Sequence, residues 1–153
     1  MKSILFVCLG NICRSPMAEG ILRHKAFEKG MDLKIDSAGT ESMHAGEHPD
    51  RRAAKTAMEH GIDISKLVAR QIKSKDFDEF DLILVADDQV YNELKYFIRS
   101  ESDIKKVDFI MNLVKPNSNI GVPDPYYGGQ DGFNKVFDML DMACDVILKR
   151  VTN

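Results

Sequence analysis

The stretch that decides the fold is Val7-Cys8-Leu9-Gly10-Asn11-Ile12-Cys13-Arg14-Ser15-Pro16. The apolar run 4–7 comes before it, and short continuous apolar runs are typical of strands buried on both faces. Ser15 can cap a helix and Pro16 fits a first helical turn, so we predict that a helix begins at Ser15. A strand, a tight loop and a helix in this order favour an α/β fold, with the loop at the carboxyl end of a strand.

The loop contains the residue types needed to bind a phosphate group. If its backbone N–H groups point inward, they form a nest for an anion, and the following helix adds its positive N-terminus. Glycine permits a tight turn and a close approach to a ligand, asparagine tolerates unusual backbone angles, and arginine offers a planar fork for two phosphate oxygens. We therefore predict a phosphate-binding loop made of Leu9, Gly10, Asn11, Ile12, Cys13, Arg14 and Ser15.

Cys8 stands at the end of the predicted strand, six positions before Arg14. A helix N-terminus and a nearby guanidinium favour the thiolate form of a cysteine, and the Ser15 hydroxyl is placed to donate to the sulfur. Taken alone, a cysteine after a buried strand is more often a small core residue. Because Gly10, Asn11 and Arg14 follow it in the same short stretch, we instead predict that Cys8 attacks phosphorus.

A second candidate lies far along the chain, in the stretch Val122-Pro123-Asp124-Pro125-Tyr126-Tyr127. An ester oxygen that leaves phosphorus needs a proton, which a carboxyl group can supply. The flanking prolines restrict the backbone of Asp124, and the two tyrosines are suited to a flat aromatic substrate. A plain turn with two half-buried tyrosines is the alternative. Paired with the cysteine loop, Asp124 becomes the favoured general acid.

The rest of the chain alternates between strand-like and helix-like runs. Further strands are predicted over 33–37, 81–86 and 106–110, and further helices over 50–60, 88–99 and 131–150. The first helix is expected to bury Ala18, Ile21, Leu22 and Phe27, and one aspartate of the pair 87–88 is expected to cap the helix that follows it. Strands separated by helices pair in parallel, and 153 residues suffice for one domain, residues 1–153.

Composition excludes several classes of function. A formal net charge of −3 and a pI near 5.8 give no reason to expect a nucleic acid partner. The N-terminus lacks the features of a signal peptide, and no window is long and apolar enough to span a membrane. Three cysteines, an odd number, argue for free thiols in a reducing compartment. A cytoplasmic protein without a membrane partner is therefore expected.

The chain resembles the low-molecular-weight protein tyrosine phosphatases over nearly its whole length. The motifs that carry the resemblance are 8–19, 36–40, 50–53, Ala69-Arg70-Gln71 and 124–127. The resemblance implies a four-stranded parallel sheet with helices on both faces and a phosphocysteine intermediate. It implies Cys8 as nucleophile, Arg14 as phosphate clamp and Asp124 as general acid, without a metal or other cofactor. A monomer is expected.

The resemblance also bears on Cys13, the second cysteine of the loop. Members of the family use this cysteine to trap an oxidised nucleophile as a reversible disulfide, which protects it from further oxidation. A small buried side chain that fills the loop is the alternative, and the sequence leaves both open.

Four residues are expected at the substrate rim, namely Ile12, Met43, Tyr126 and Tyr127. A branched aliphatic residue at position 12 with two aromatics after the acid resembles the enzymes that act on phosphotyrosine. A threonine at position 12 without these aromatics would have indicated a phosphoarginine enzyme. Met43 occupies a position that is commonly aromatic in the family.

One departure concerns the loop asparagine. Leu67 stands where many relatives carry a histidine that steadies this side chain, so Asn11 is expected to be held differently.

Two other functions would fit parts of this pattern. A thioredoxin-coupled arsenate reductase needs two more cysteines after the third strand, and residues 82–100 contain none. An idle phosphate-binding module would not need Cys8, Arg14 and Asp124 together. The phosphatase is therefore the favoured hypothesis.

Overall fold

The computed structural model, which describes residues 2–152, is built on one sheet of four parallel strands. The strands are β1 (Ser3–Cys8), β2 (Lys34–Gly39), β3 (Leu82–Val85) and β4 (Val107–Phe109), and their order in the sheet is β2-β1-β3-β4. The predicted fold class is confirmed. Residues 1 and 153 of the predicted domain lie outside the described range.

The helices are α1 (Arg14–Glu28), α2 (Arg51–Glu59), α3 (Asp76–Glu79), α4 (Asp88–Leu94), α5 (Glu101–Ile104) and α6 (Gln130–Thr152). Both ends predicted for the helix over 50–60 agree closely with those of α2. Asp50 caps α2 by accepting a hydrogen bond from the backbone of Arg52, and Gly61 follows that helix with a φ of 78°. Within the described part of the chain, no helix has both the length and the apolar character that crossing a bilayer requires.

The strand order creates the position for a site. From β1 the chain crosses to β2 on one side, and from β3 it crosses to β4 on the other. Since such crossovers are right-handed, α1 and α4 cover opposite faces of the sheet. A crevice opens at the carboxyl ends of the strands where the order reverses, between β1 and β3. Cys8 ends β1 at this crevice, and Asp87 follows β3.

The core surrounds the central strand. Every residue of β1 is buried, as the continuous apolar run predicted. Helices α1 and α6 pack against each other, with Phe133 and Leu140 of α6 fully buried. This packing holds α1, and hence the loop before it, in a fixed place relative to the sheet.

Two predictions about the helices are wrong. Phe27 does not join the core, because it lies in the last turn of α1 with 85% of its surface exposed. The helix predicted over 88–99 ends at Leu94, continues as a 3₁₀ turn over Lys95–Phe97 and breaks before α5. At the break, the carbonyl of Phe97 accepts from the Ser74 hydroxyl at 2.7 Å, a tertiary hydrogen bond that the local sequence pattern does not predict.

Candidate active site

A cleft of about 110 Å³ opens where the strand order reverses. It brings together the predicted nucleophile, the predicted phosphate clamp, the predicted acid and all four predicted rim residues. Its lining comprises Cys8, Leu9, Gly10, Ile12, Cys13, Arg14, Glu41, Met43, His44, Asp124, Tyr126 and Tyr127. Asn11 and Ser15 lie beneath it, where they hold the loop in shape.

The loop between β1 and α1 directs its carbonyl groups away from the cleft. The carbonyls of Cys8 and Leu9 accept hydrogen bonds from the backbone of Thr40 (3.0 Å) and Glu41 (2.9 Å), and that of Ile12 accepts from Asp50 (2.8 Å). The N–H groups of residues 9–13 donate to no residue within 2–152. They are therefore available to an anion, as in a backbone nest.

Two positions in this region are glycine because neighbouring atoms leave no room for a Cβ atom. A Cβ atom on Gly39 would lie 2.5 Å from the carbonyl oxygen of Leu9, so β2 can pair beside the loop only without a side chain there. A Cβ atom on Gly10 would lie 2.9 Å from the His44 ring. Asn11 has a left-handed backbone conformation, with a φ of 59°, which asparagine tolerates better than most residues.

Asn11 uses both ends of its side chain to keep this conformation. Its Oδ1 accepts a hydrogen bond from the backbone of Arg70 (3.0 Å), and its Nδ2 donates to the hydroxyls of Ser15 (2.7 Å) and Ser37 (2.9 Å). A backbone amide and two hydroxyls thus hold Asn11 in a chain that has Leu67 in place of the family histidine.

A buried chain of hydrogen bonds leads from Cys8 to Glu19. Ser37 donates to the Glu19 carboxylate at 2.6 Å, so its oxygen is free to accept from Asn11. Ser15 also accepts from Asn11, which leaves its own hydrogen for the Cys8 sulfur at 2.9 Å, a shorter contact than the 3.4 Å to the Ala38 carbonyl. The prediction that Ser15 caps α1 is therefore wrong, because its hydroxyl serves the sulfur instead.

Glu19 carries an unusual charge for the core, since it is only 3% exposed. Burial raises the pKa of its carboxyl group, and the hydrogen bonds from Ser37 and from Arg23 oppose that rise without cancelling it. The sequence pattern assigns Glu19 no role beyond its place in the motif 8–19. That place in the motif is the sign in the sequence that Glu19 belongs with the loop residues. Once buried, its carboxyl group needs hydrogen-bond partners, and Ser37 and Arg23 supply them.

Arg14 is buried to 1% exposure on the floor of the cleft. Its Nη1 donates to Asp87 Oδ2 (2.6 Å) and to the Val122 carbonyl (2.9 Å), and its Nη2 lies 3.6 Å from Asp124 Oδ2. Burial lowers the pKa of Arg14, but the neighbouring Cys8, Asp87 and Asp124 outweigh burial and raise the pKa overall. A permanent cation therefore lies under the anion nest.

Asp87 performs two tasks at the end of β3. Its Oδ1 accepts from the backbone of Val90 at 2.9 Å and caps α4, which confirms the predicted cap. Its Oδ2 orients Arg14. The sequence predicts only the cap, and the structure shows that one carboxylate both caps α4 and pairs with Arg14.

The loop that carries Asp124 forms the opposite wall of the cleft. Asp124 Oδ1 accepts from the backbone of Tyr126 at 3.0 Å, and the side chain is 32% exposed. The Tyr126 and Tyr127 rings meet edge to face at 5.0 Å, and the His44 ring lies 6.3 Å from Tyr126. Tyr127 remains 90% exposed, so the rim presents aromatic surface to the solvent.

Cys13 is buried beside the nucleophile. Burial raises the pKa of its thiol well above the ordinary value, and the charges of Asp50, Cys8 and Asp124 raise it further. Cys13 is therefore a neutral thiol at neutral pH. Cys8, Cys13 and Cys144 are all free, and Cys144 lies in the core between α6 and α1.

Comparisons with known proteins agree with this geometry. A sequence model of the family described as low molecular weight phosphotyrosine protein phosphatase matches residues 3–153. A putative low molecular weight protein-tyrosine-phosphatase of Synechocystis is 44% identical over 147 residues, which cover 95% of this chain and 93% of the relative.

Solved structures extend the likeness to three dimensions. A protein tyrosine phosphatase from Entamoeba histolytica superimposes with a TM-score of 0.90 at 34% identity, covering 99% of this chain and 97% of the other. A Drosophila arginine phosphatase also reaches a TM-score of 0.90, at 31% identity, covering 100% and 99%. From the match over nearly its whole length, we conclude that the chain belongs to the low molecular weight phosphotyrosine protein phosphatase family.

Proposed function

We propose that this protein hydrolyses phosphotyrosine and aryl phosphomonoesters through a phosphocysteine intermediate. The observation that carries the proposal is the buried Arg14, a cation on the floor of a cleft that Cys8 and Asp124 also line. A buried guanidinium with two neighbouring carboxylates is a costly arrangement in an ordinary strand-to-helix turn. It has a clear use where a dianionic phosphate must be bound.

The first step is transfer of the phosphoryl group to sulfur. The Cys8 thiolate attacks phosphorus in line, an S–P bond forms, and the bond from phosphorus to the ester oxygen breaks. The Asp124 carboxyl group gives its proton to the departing phenolate oxygen. Arg14 and the N–H groups of the phosphate-binding loop, residues 9–15, hold the equatorial oxygens as charge spreads over them.

The second step releases the phosphate. Asp124, now a carboxylate, accepts a proton from a water molecule as that water attacks phosphorus. The S–P bond breaks, inorganic phosphate leaves and the Cys8 thiolate is restored. Ser15, whose hydrogen is free for the sulfur at 2.9 Å, stabilises that thiolate as a leaving group.

The rim supports an aromatic substrate. Tyr126 and Tyr127 offer ring surfaces to a phenyl group, and Ile12 and Met43 add apolar contacts. Since an arginine phosphatase shares the fold, phosphoarginine is the natural comparison substrate. We expect a preference for phosphotyrosine, because Ile12, and not a threonine, lines the cleft beside two tyrosine rings suited to a phenyl group.

Cys13 is proposed as the partner of an oxidised Cys8. Peroxide converts the Cys8 thiolate to a sulfenic acid, and the Cys13 sulfur then displaces hydroxide as water to form a disulfide. Two reducing equivalents from a dithiol restore both thiols. Activity lost to peroxide should return with dithiothreitol more fully in the parent than in Cys13→Ser.

The proposal also covers domain extent, oligomeric state and location in the cell. We expect residues 1–153 to act as one phosphatase domain, as a monomer and in the cytoplasm. The three free thiols support a reducing compartment. Size-exclusion chromatography with light scattering measures the oligomeric state directly.

The central test is hydrolysis of p-nitrophenyl phosphate and of a phosphotyrosine peptide in the presence of EDTA. The parent should be active on both substrates, and Cys8→Ser and Arg14→Ala should each lose at least about a hundredfold in kcat/KM on both. Asp124→Ala should lose as much on the phosphotyrosine peptide, whose leaving group needs the proton, and less on p-nitrophenyl phosphate. Asp131→Ala, an exposed aspartate on α6, is the control and should match the parent. An inactive parent, or a Cys8→Ser variant as active as the parent, would refute the proposal.

A further inference from the structure

Arg52, in the first turn of α2, has a side chain that is fixed to the phosphate-binding loop. Its Nε and Nη2 donate to the two carboxylate oxygens of Asp50, each at 3.1 Å. Asp50 is itself anchored, because its backbone N–H donates to the carbonyl of Ile12 at 2.8 Å. A paired fork of this kind has a defined geometry, so the guanidinium has a set position relative to Ile12.

The other side of the same guanidinium faces the acid loop, by which we mean residues 123–128. Its Nη2 donates to the carbonyl of Tyr126 (2.8 Å) and its Nη1 to the carbonyl of Gly128 (3.0 Å). The guanidinium also lies 5.6 Å from the centroid of the Tyr126 ring and 4.7 Å from that of Phe133 in α6. One side chain thus contacts the acid loop, α6 and the cap of α2.

The acid loop has few other attachments. Its neighbour Val122 is held firmly, with its N–H donating to the Ala86 carbonyl at 2.8 Å and its carbonyl accepting from Arg14 at 2.9 Å. Beyond Val122, within the described residues, the backbone of the acid loop makes its hydrogen bonds either to itself or to Arg52. Arg52 thus supplies the hydrogen bonds that tie the backbone of the acid loop to the rest of the described protein.

The carboxyl group of Asp124 follows the position of this loop, since its Oδ1 accepts from the backbone of Tyr126, a residue that Arg52 also holds. We propose that Arg52 is a positioning residue that sets the distance between the Asp124 carboxyl group and the phosphate-binding loop. The inference rests on the proposed function, because it concerns how the general acid reaches the leaving group.

A positioning role predicts a particular kinetic signature. A displacement of about 1 Å in a catalytic group can cost on the order of a hundredfold in rate. A poor leaving group such as phenolate depends on protonation, whereas p-nitrophenolate leaves well without it. Loss of Arg52 should therefore lower kcat/KM much more for phenyl phosphate than for p-nitrophenyl phosphate, and it should leave the affinity for inorganic phosphate unchanged.

The experiment compares Arg52→Ala, Arg52→Lys and the parent on both substrates. We expect kcat/KM to fall at least tenfold on phenyl phosphate and less than threefold on p-nitrophenyl phosphate in both variants, with the inhibition constant of phosphate within twofold of the parent value. Lysine keeps the charge, but its three N–H donors cannot bind both Asp50 oxygens and both carbonyls at once. Arg51→Ala, the exposed neighbour on the same helix, is the matched control and should behave as the parent.

A double-mutant cycle separates positioning from general damage. Because Arg52 acts through the acid, adding Arg52→Ala to Asp124→Ala should cause no further loss of kcat/KM on phenyl phosphate. Losses that multiply, equal losses on both substrates, full activity of Arg52→Lys, or weakened phosphate inhibition would each overturn the inference. A parent enzyme that hydrolyses neither ester would instead refute the proposed function, so the two failures are distinguishable.

Discussion

Arg14 and Asp87 form an ion pair of 2.6 Å on the floor of the cleft, although 73 positions separate them in the chain. The pair exists because the ends of β1 and β3 are neighbours in the sheet. One carboxylate oxygen of Asp87 caps α4 and the other pairs with Arg14. A single carboxylate at the end of β3 therefore couples the sheet, α4 and Arg14.

The first prediction concerns Asp87→Asn. Asparagine can still cap α4, but it leaves the buried Arg14 without its closest anion. Breaking a buried ion pair costs about 3–5 kcal/mol, and since Asp87 is partly exposed we expect the free energy of unfolding to fall by about 2 kcal/mol. The inhibition constant of phosphate should rise roughly tenfold, since Arg14 loses its orientation. Asp88→Asn, at the exposed neighbour, is the control for urea unfolding and phosphate inhibition. Unchanged phosphate affinity in Asp87→Asn would contradict the coupling.

The second prediction separates strain from hydrogen bonding at Asn11. Asn11→Ala places a side chain that cannot form these hydrogen bonds at a φ of 59°, whereas Asn11→Gly accepts that φ but also lacks the bonds to Arg70, Ser15 and Ser37. Both variants should lose roughly a hundredfold in kcat/KM, and glycine should be more stable to urea than alanine by about 1 kcal/mol. Asn117→Gly, at another left-handed asparagine, is the control. Near-parent activity of Asn11→Gly would mean that the loop needs only the backbone angle.

The third prediction is a pH dependence of stability that arises from Glu19. The folded protein raises the pKa of this carboxyl group, chiefly through burial, so the folded state binds its proton more tightly than the unfolded state does. The stability that this contributes is complete below the ordinary pKa of about 4.3, and it is lost as the pH rises through the raised value. The Tm of the parent should therefore fall relative to that of Glu19→Gln as the pH rises from about 4 to 7.

Glu59→Gln, at an exposed position of α2, controls for the removal of a carboxyl group from a helix. Its difference from the parent should stay nearly constant over that range. If the Tm of the parent instead rose relative to that of Glu19→Gln with rising pH, the folded protein would stabilise the ionised carboxylate of Glu19, and the prediction would be wrong.

The fourth prediction concerns the aromatic rim. Tyr126→Ala removes a ring that lines the cleft, so KM for aryl phosphates should rise about threefold to tenfold, while kcat/KM for an alkyl phosphate should change less than twofold. Tyr96→Ala, at a tyrosine that is 90% exposed and outside the cleft, is the matched control. Equal losses on aryl and alkyl esters would argue that Tyr126 supports the loop and not the substrate.

The sequence by itself determined the local part of the site. Cys8, Asn11, Arg14 and Ser15 lie within one short stretch, from the end of β1 to the first turn of α1, so their spacing alone predicted an anion nest there. The continuous apolar run 4–7 predicted the buried central strand, and alternation of strands and helices predicted the parallel sheet. The fold class and the family are confirmed, while the catalytic roles stay predictions.

Only the tertiary structure decided which distant residues support that loop. Asp87 orients Arg14, Ser37 and Glu19 continue the hydrogen bonds from Asn11, and Arg52 binds a loop that lies 76 positions further along the chain. Local patterns specify which residues form a helix or a loop, because propensity and capping act over a few positions. Which buried polar groups meet depends on the strand order and on how the helices pack, and those contacts are settled only when the whole core forms.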